Sequence, residues 1–102
     1  MSHATAQRQV VITNPQGFHA RPAHLFVKLA SQFQSKVRII KGNEVIDGKS
    51  ILDLLTLGAG NGTKLSLEAV GDDAEAALEA LARLIESGFG DQDAAAQDGQ
   101  AK

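Results

Sequence analysis

The sequence contains no cysteine, no tryptophan and no tyrosine, and only two prolines. The lack of cysteine excludes a disulfide framework, thiolate metal sites and a cysteine nucleophile together. With four Phe as the remaining aromatic residues, the chain has little with which to stack nucleobases. Charge of one sign is also lacking. Ten Lys and Arg stand against twelve Asp and Glu, a formal net charge of −2, so the basic field that attracts nucleic acid is missing. No apolar run reaches the length that crosses a bilayer. The opening residues, Met1 to Arg8, have neither the basic patch nor the apolar stretch of a signal peptide. These absences lead to the expectation of a cytoplasmic protein with no nucleic-acid partner and no membrane insertion.

What is present fits one domain: 102 residues, 43% of them hydrophobic, are enough for a single core without staples. Residues 1–7 are small and polar, and residues 91–102 carry no large apolar side chain. Neither stretch can offset the entropy of ordering. A flexible N-terminal tail over 1–7, a folded domain over 8–90 and a disordered C-terminal tail over 91–102 are therefore expected, with no internal repeat.

Within the domain the hydrophobic period switches repeatedly. Arg8 to Thr13 alternates as a strand, with Val10 and Ile12 on one face. Asn14-Pro15-Gln16-Gly17 fits a type I turn, with Pro at its second position and Gly last. A helix is predicted from Ala20 to Phe33. Pro22 lies in its first turn, where a missing N–H costs nothing, and Ala23, Phe26, Ala30 and Phe33 form the apolar stripe. Lys36 to Lys41 and Glu44 to Asp47 read as strands joined by Gly42-Asn43. Ser50 opens a short helix through the Ser50/Asp53 capping spacing, and Gly58 stops it. Leu65, Leu67 and Ala69 alternate in a fourth strand. A last helix over 73–87 takes its capping spacing from Asp72 and Glu75 and its core stripe from Ala74, Leu78, Leu81 and Ile85.

The order is β-α-β-β-α-β-α. It implies an α/β (α+β) open-faced sandwich, a four-stranded and mainly antiparallel sheet with three helices on one face. Such a fold names no function by itself.

The chemistry concentrates in Gly17-Phe18-His19-Ala20-Arg21-Pro22-Ala23, where a turn feeds a helix N-terminus. Unpaired N–H groups and the positive end of the helix dipole favour an anion there. A neutral imidazole at His19 is a nucleophile, and Arg21 can bring a guanidinium to phosphate oxygens. Together they make a minimal phosphohistidine site. Nothing nearby supplies a metal or a nucleotide pocket, so no metal and no cofactor is expected, and the phosphoryl group must come from another protein. His24 lies five residues after His19, on a different helical face, and reads as a surface side chain.

This heptapeptide resembles the active-site signature of the HPr family, the histidine-containing phosphocarriers of the bacterial phosphoenolpyruvate-dependent phosphotransferase system. A second segment, Gly48-Lys49-Ser50-Ile51-Leu52-Asp53-Leu54-Leu55-Thr56-Leu57-Gly58, is similar to the family's regulatory serine and the small helix beside its active site. The resemblance implies a carrier without catalysis of its own, phosphorylated on Nδ1 of His19, with Arg21 touching the phosphoryl group and the Ala20–Arg21 backbone binding phosphate. It implies enzyme I as donor, enzyme IIA components as acceptors, and docking through Ala20, Arg21, Ile51, Leu52 and Leu55. Ser50 matches the serine modified by a regulatory kinase and phosphorylase in many members, and a purely regulatory module acting through Ser50 is the alternative. Gln16 departs from the family's frequent Asn or Ser. The Ser87-Gly88-Phe89-Gly90-Asp91 ending resembles members of the nitrogen-related branch. A monomer is expected. The Ile51-Leu52 and Leu54-Leu55 pairs exceed what a short helix can bury, so at least one residue of each is expected to remain exposed.

Overall fold

A computed structural model describes residues 4–89 of the chain. Strands β1 (Thr5–Val11), β2 (Lys36–Lys41), β3 (Glu44–Asp47) and β4 (Lys64–Val70) alternate with helices α1 (Ala20–Ala30), α2 (Ile51–Leu57) and α3 (Ala74–Glu86) in the order β-α-β-β-α-β-α. The strands form one sheet in the order β1-β4-β2-β3, and every pairing is antiparallel. The open-faced sandwich expected from the periodicities is the fold.

The alternation of side chains decides which face is covered. Rows across the sheet run Ala6–Ala69–Val37, Arg8–Leu67–Ile39–Ile46 and Val10–Leu65. All these apolar residues except half-buried Ile46 are buried. They meet Ala23, Phe26 and Ala30 of α1, Leu54 and Leu57 of α2, and Leu78, Leu81 and Ile85 of α3 in a single core. Arg8 sits on the same face at the edge strand, where its guanidinium reaches Glu86 of α3 at 3.9 Å. The opposite face carries Arg38 and Glu68, paired at 3.3 Å, and the half-buried Ser66.

Four local readings change. First, β1 begins at Thr5, so the tail drawn over residues 1–7 is too long: Thr5, Ala6 and Gln7 pair with Val70, Ala69 and Glu68. Ala6 is buried, and antiparallel backbone pairing along β4 orders residues whose own side chains offer little. The 91–102 tail lies outside the described residues. Second, α1 ends at Ala30 rather than Phe33, because residues 31–33 tighten: the N–H groups of Gln32 and Phe33 donate three residues back to Leu29 and Ala30. The Phe33 carbonyl is taken by Lys49 Nζ at 2.8 Å.

Third, α3 starts at Ala74 without the Asp72/Glu75 capping box. Asp73 holds the cap position, but its carboxylate turns away to the loop after α1. It accepts from the N–H of Gln34 at 2.8 Å and of Ser35 at 2.9 Å, and from the Ser35 hydroxyl. These bonds hold its carboxyl below the usual carboxylate range, the Ser35 hydroxyl contributing most. Fourth, only half of the Ser50 capping box forms. Ser50 Oγ accepts from Asp53 N–H at 3.2 Å, while the Asp53 carboxylate accepts from Asp47 N–H at 3.3 Å instead of returning to Ser50. The hairpin between β2 and β3 is as read: Gly42 has φ +58° at the first position of its two-residue loop, as a type II′ turn requires.

Candidate functional site

The turn before α1 is built from the Asn14-Pro15-Gln16-Gly17 sequence outward. Gly17 N–H donates to the Asn14 carbonyl at 3.2 Å, which closes the turn. The Asn14 side chain, buried under it, returns a bond from Nδ2 to the Gly17 carbonyl at 2.9 Å. Gly17 has φ +62°, and a Cβ there would lie 2.0 Å from the Ala59 carbonyl oxygen. Only glycine satisfies both conditions. That approach lets Phe18 N–H donate to the same Ala59 oxygen at 3.0 Å. The loop that follows α2 therefore holds the residue immediately before His19. Asn61 adds a bond from Nδ2 to the Thr13 carbonyl at 2.9 Å.

His19 is the N-cap of α1, extended at φ −87° and ψ −169°. Its own N–H is tied to the Gly17 carbonyl at 2.9 Å, and its carbonyl accepts the first helical bond, from Ala23 N–H at 3.0 Å. Its imidazole is exposed and caps nothing. Among the described residues no side chain, Gln16 included, bonds to that ring. Ala20 and Arg21 follow, both exposed, with N–H groups that precede the first helical bond and have no partner among the described residues. Pro22 comes next and needs no partner. Two backbone donors, the positive end of an eleven-residue helix and an Arg21 guanidinium with no ion pair among the described residues thus follow directly on an imidazole that makes no bond there. This arrangement can hold a tetrahedral dianion against a nitrogen nucleophile.

Ser50 caps α2. It stands at the end of α2 opposite the Ala59 contact, about 10 Å along the axis of a seven-residue helix. Its hydroxyl has no bond to His19. Of the apolar residues on α2, Leu54 and Leu57 are buried, whereas Ile51, Leu52 and Leu55 are 38%, 69% and 41% exposed. The first pair thus leaves both members in solvent and the second leaves one. Since α1 and α2 pack against each other, this apolar patch belongs to the immediate neighbour of the helix that carries His19. His24 is exposed on α1. Among the described residues no group of three or more metal-ligating side chains gathers, and no helix is long and apolar enough to cross a membrane.

Sequence reasoning read Asn14 only as the opening of a turn and Asn61 only as part of the Gly60-Asn61-Gly62 turn into the fourth strand, and gave Ala59 no role. The signal for Asn14 is its residue type at the first turn position, where a side-chain amide can bond back to the turn. The pairing of Gly17 with Ala59 has no local signal, because the two residues meet through the tertiary fold.

The family model described as the PTS HPr component phosphorylation site matches residues 6–87. The chain is 40% identical over 85 residues to a phosphocarrier protein HPr of Neisseria meningitidis, covering 83% of this chain and 96% of that protein. It is 40% identical over 83 residues to a phosphocarrier protein NPr of Shewanella violacea, covering 81% and 91%. A crystal structure of HPr from Thermoanaerobacter tengcongensis superposes with a TM-score of 0.81 at 45% identity, covering 83% of this chain and 96% of that one. The chain belongs to the HPr family of phosphocarrier proteins of the phosphotransferase system.

Proposed function

We propose that this chain accepts a phosphoryl group on Nδ1 of His19 from the phosphohistidine of enzyme I and donates it to an enzyme IIA component. The observation that carries the reading is the exposed, unbonded imidazole of His19 at the N-cap of α1, beside the free N–H groups of Ala20 and Arg21. In the forward step the Nδ1 lone pair forms the new N–P bond as the N–P bond on the donor breaks. A donor ring protonated on its other nitrogen leaves as neutral imidazole, and His19 becomes the protonated phospho-imidazole. Atoms and charge balance with no water consumed, and the reverse step delivers the group to an acceptor.

Arg21 pairs with phosphoryl oxygens as charge shifts onto the transferring group. The N–H groups of Ala20 and Arg21 bind the same oxygens, and Pro22 fixes the helix start that aims them. Ile51, Leu52 and Leu55 supply the apolar centre of a docking surface whose rim is Ala20 and Arg21. The chain acts in the cytoplasm as a monomer, needs no cofactor because its phosphate comes from a protein, and performs no independent catalysis. Ser50 is open to a kinase and phosphorylase as a regulatory site.

The equal identity to relatives named HPr and NPr supports a second reading for the pathway: a carrier in the nitrogen-related branch rather than in sugar uptake. Incubation with phosphoenolpyruvate and enzyme I tests the carrier itself, with an acid-labile phosphate as the expected product. Transfer onward to a panel of enzyme IIA proteins then decides the branch. A chain that gains only acid-stable phosphoserine, from ATP and a kinase, is a regulatory module acting through Ser50 and contradicts the carrier reading.

A further inference from the structure

Just beyond α3 the chain does something costly. Gly88 and Phe89 both adopt the left-handed conformation, at φ +71° and +67°. Gly88 is suited to it, but Phe89 is a bulky residue for which positive φ is rare. The helix end explains part of the geometry. With Ser87 as C-cap, Gly88 N–H donates to Ile85 at 3.0 Å and Phe89 N–H to Leu84 at 2.8 Å. These are the two bonds of a Schellman ending. They place Phe89 back over the domain, but they do not require an aromatic ring there.

The ring has a specific seat. Phe89 is only 5% exposed and meets Phe18 edge-on, with centroids 5.6 Å apart. Phe18 in turn meets Phe26 of α1 at 5.5 Å and 78°. Phe18 is therefore held between the C-terminal end of α3 and the buried face of α1, and it is the residue directly before His19. A second tie runs the same way: Thr13 Oγ1 donates to the Ile85 carbonyl at 3.4 Å, joining the start of the turn to the last turn of α3. The backbone at Phe18 is fixed from one side by the Ala59 carbonyl and its side chain from the other by Phe89.

We propose that Phe89 is a positioning residue for His19: its ring, locked by the ending of α3, seats Phe18 and thereby fixes the backbone that aims the imidazole. The inference rests on the assignment of His19 as the phosphoryl acceptor, and it adds the C-terminal end of α3 to the parts that set the geometry of the site. Edge-to-face aromatic pairs prefer a narrow range of geometries, so the seat controls orientation as well as burial.

The test compares wild type with Phe89→Ala, Phe89→Leu and, as a control for plain loss of stability, Ile39→Val in the sheet core. The primary reading needs no phosphoryl donor. Amide hydrogen exchange at Phe18 and His19 is expected to speed by about ten-fold or more in Phe89→Ala relative to Leu67 in β4. Phe89→Leu should lie between, and should report the same amides if Phe89→Ala fails to fold. Ile39→Val should leave the Phe18 and His19 amides level with Leu67. With phospho-enzyme I as donor, Phe89→Ala should turn over about five- to twenty-fold more slowly at unchanged KM, since misplacement of a reacting group affects kcat. Unchanged exchange at Phe18 and His19 in both Phe89 variants, or an equal loss in Ile39→Val, overturns the proposal. Failure of wild type to take up phosphate overturns the acceptor assignment and leaves the exchange result to decide the role of Phe89.

Discussion

Asn14 and His19 donate to one acceptor: Asn14 Nδ2 and the His19 backbone N–H both reach the Gly17 carbonyl, each at 2.9 Å. A buried amide three residues beyond the end of β1 thus sets the entry of the chain into α1. The same amide leaves its Oδ1 buried with no hydrogen-bond partner among the described residues, a cost that the fold tolerates in return for the donor.

Substitution at Asn14 separates those two effects. Asn14→Ala removes a buried bond but also the orphaned oxygen, so the expected loss is about 1–2 kcal/mol. Asn14→Asp replaces the donor by an acceptor facing the Gly17 carbonyl and should cost more at neutral pH. Urea unfolding of the two variants checks this, and a smaller loss for Asp than for Ala contradicts the assigned bond.

Gly17 and Gly42 have similar positive φ angles, +62° and +58°, but different surroundings. At Gly42 a Cβ meets nothing within 4 Å, whereas at Gly17 it meets the Ala59 carbonyl at 2.0 Å. Gly42→Ala should therefore cost only the backbone penalty, about 1–2 kcal/mol. Gly17→Ala should cost about 3 kcal/mol or more and disrupt the site. Equal melting temperatures for the two variants would show that the approach of Ala59 is not tight.

The sequence carried the element order well because each strand and helix has a clean hydrophobic period, as in Leu65, Leu67 and Ala69. It also drew His19 and Arg21 together, because the heptapeptide around them is contiguous, and the fold places that stretch at the start of α1. Asp73 was not legible in the same way. Locally it belongs to a helix start, and nothing near it in sequence shows that its carboxylate serves Gln34 and Ser35, at separations of 39 and 38 residues. The start of β1 failed for a related reason: Thr5 to Gln7 are ordered by β4, not by their own side chains.

Asp73 gives a pH dependence. Its folded-state carboxyl is lowered from the ordinary 3.8, so the folded protein binds fewer protons than the unfolded chain in that range. The stabilisation is fully present above 3.8 and fades as the pH falls below it, through the folded-state value. Asp73→Asn should therefore be less stable than wild type near neutrality, and the gap should narrow in acid. Denaturation midpoints from pH 2 to 7, an interval set by the ordinary carboxylate range, check it. A gap that is constant with pH contradicts the role of the charge.

Ser50 separates stability from docking. Ser50→Ala loses the bond from Asp53 N–H and should cost about 1 kcal/mol, whereas Ser50→Asp caps about as well as serine. The added carboxylate precedes exposed Ile51 and Leu52, so affinity for enzyme I should fall by about 1–3 kcal/mol, roughly five- to 150-fold. Calorimetric titration beside melting curves checks both. Unchanged affinity with an unchanged melt makes Ser50 a cap alone.

Arg21→Lys keeps the charge but loses the planar fork. It should slow phosphoryl transfer at matched enzyme I, and equal rates for the two proteins would remove Arg21 from the site.

The central claim is that His19 carries the phosphoryl group. Its most direct test is phosphorylation of wild type and His19→Ala by phosphoenolpyruvate and enzyme I, with the modified ring nitrogen located by NMR. The account predicts an acid-labile phosphate on Nδ1 of His19 in wild type, and a folded His19→Ala protein that takes up none. Labelling of His19→Ala at the wild-type rate, or a phosphate found on His24, would contradict it.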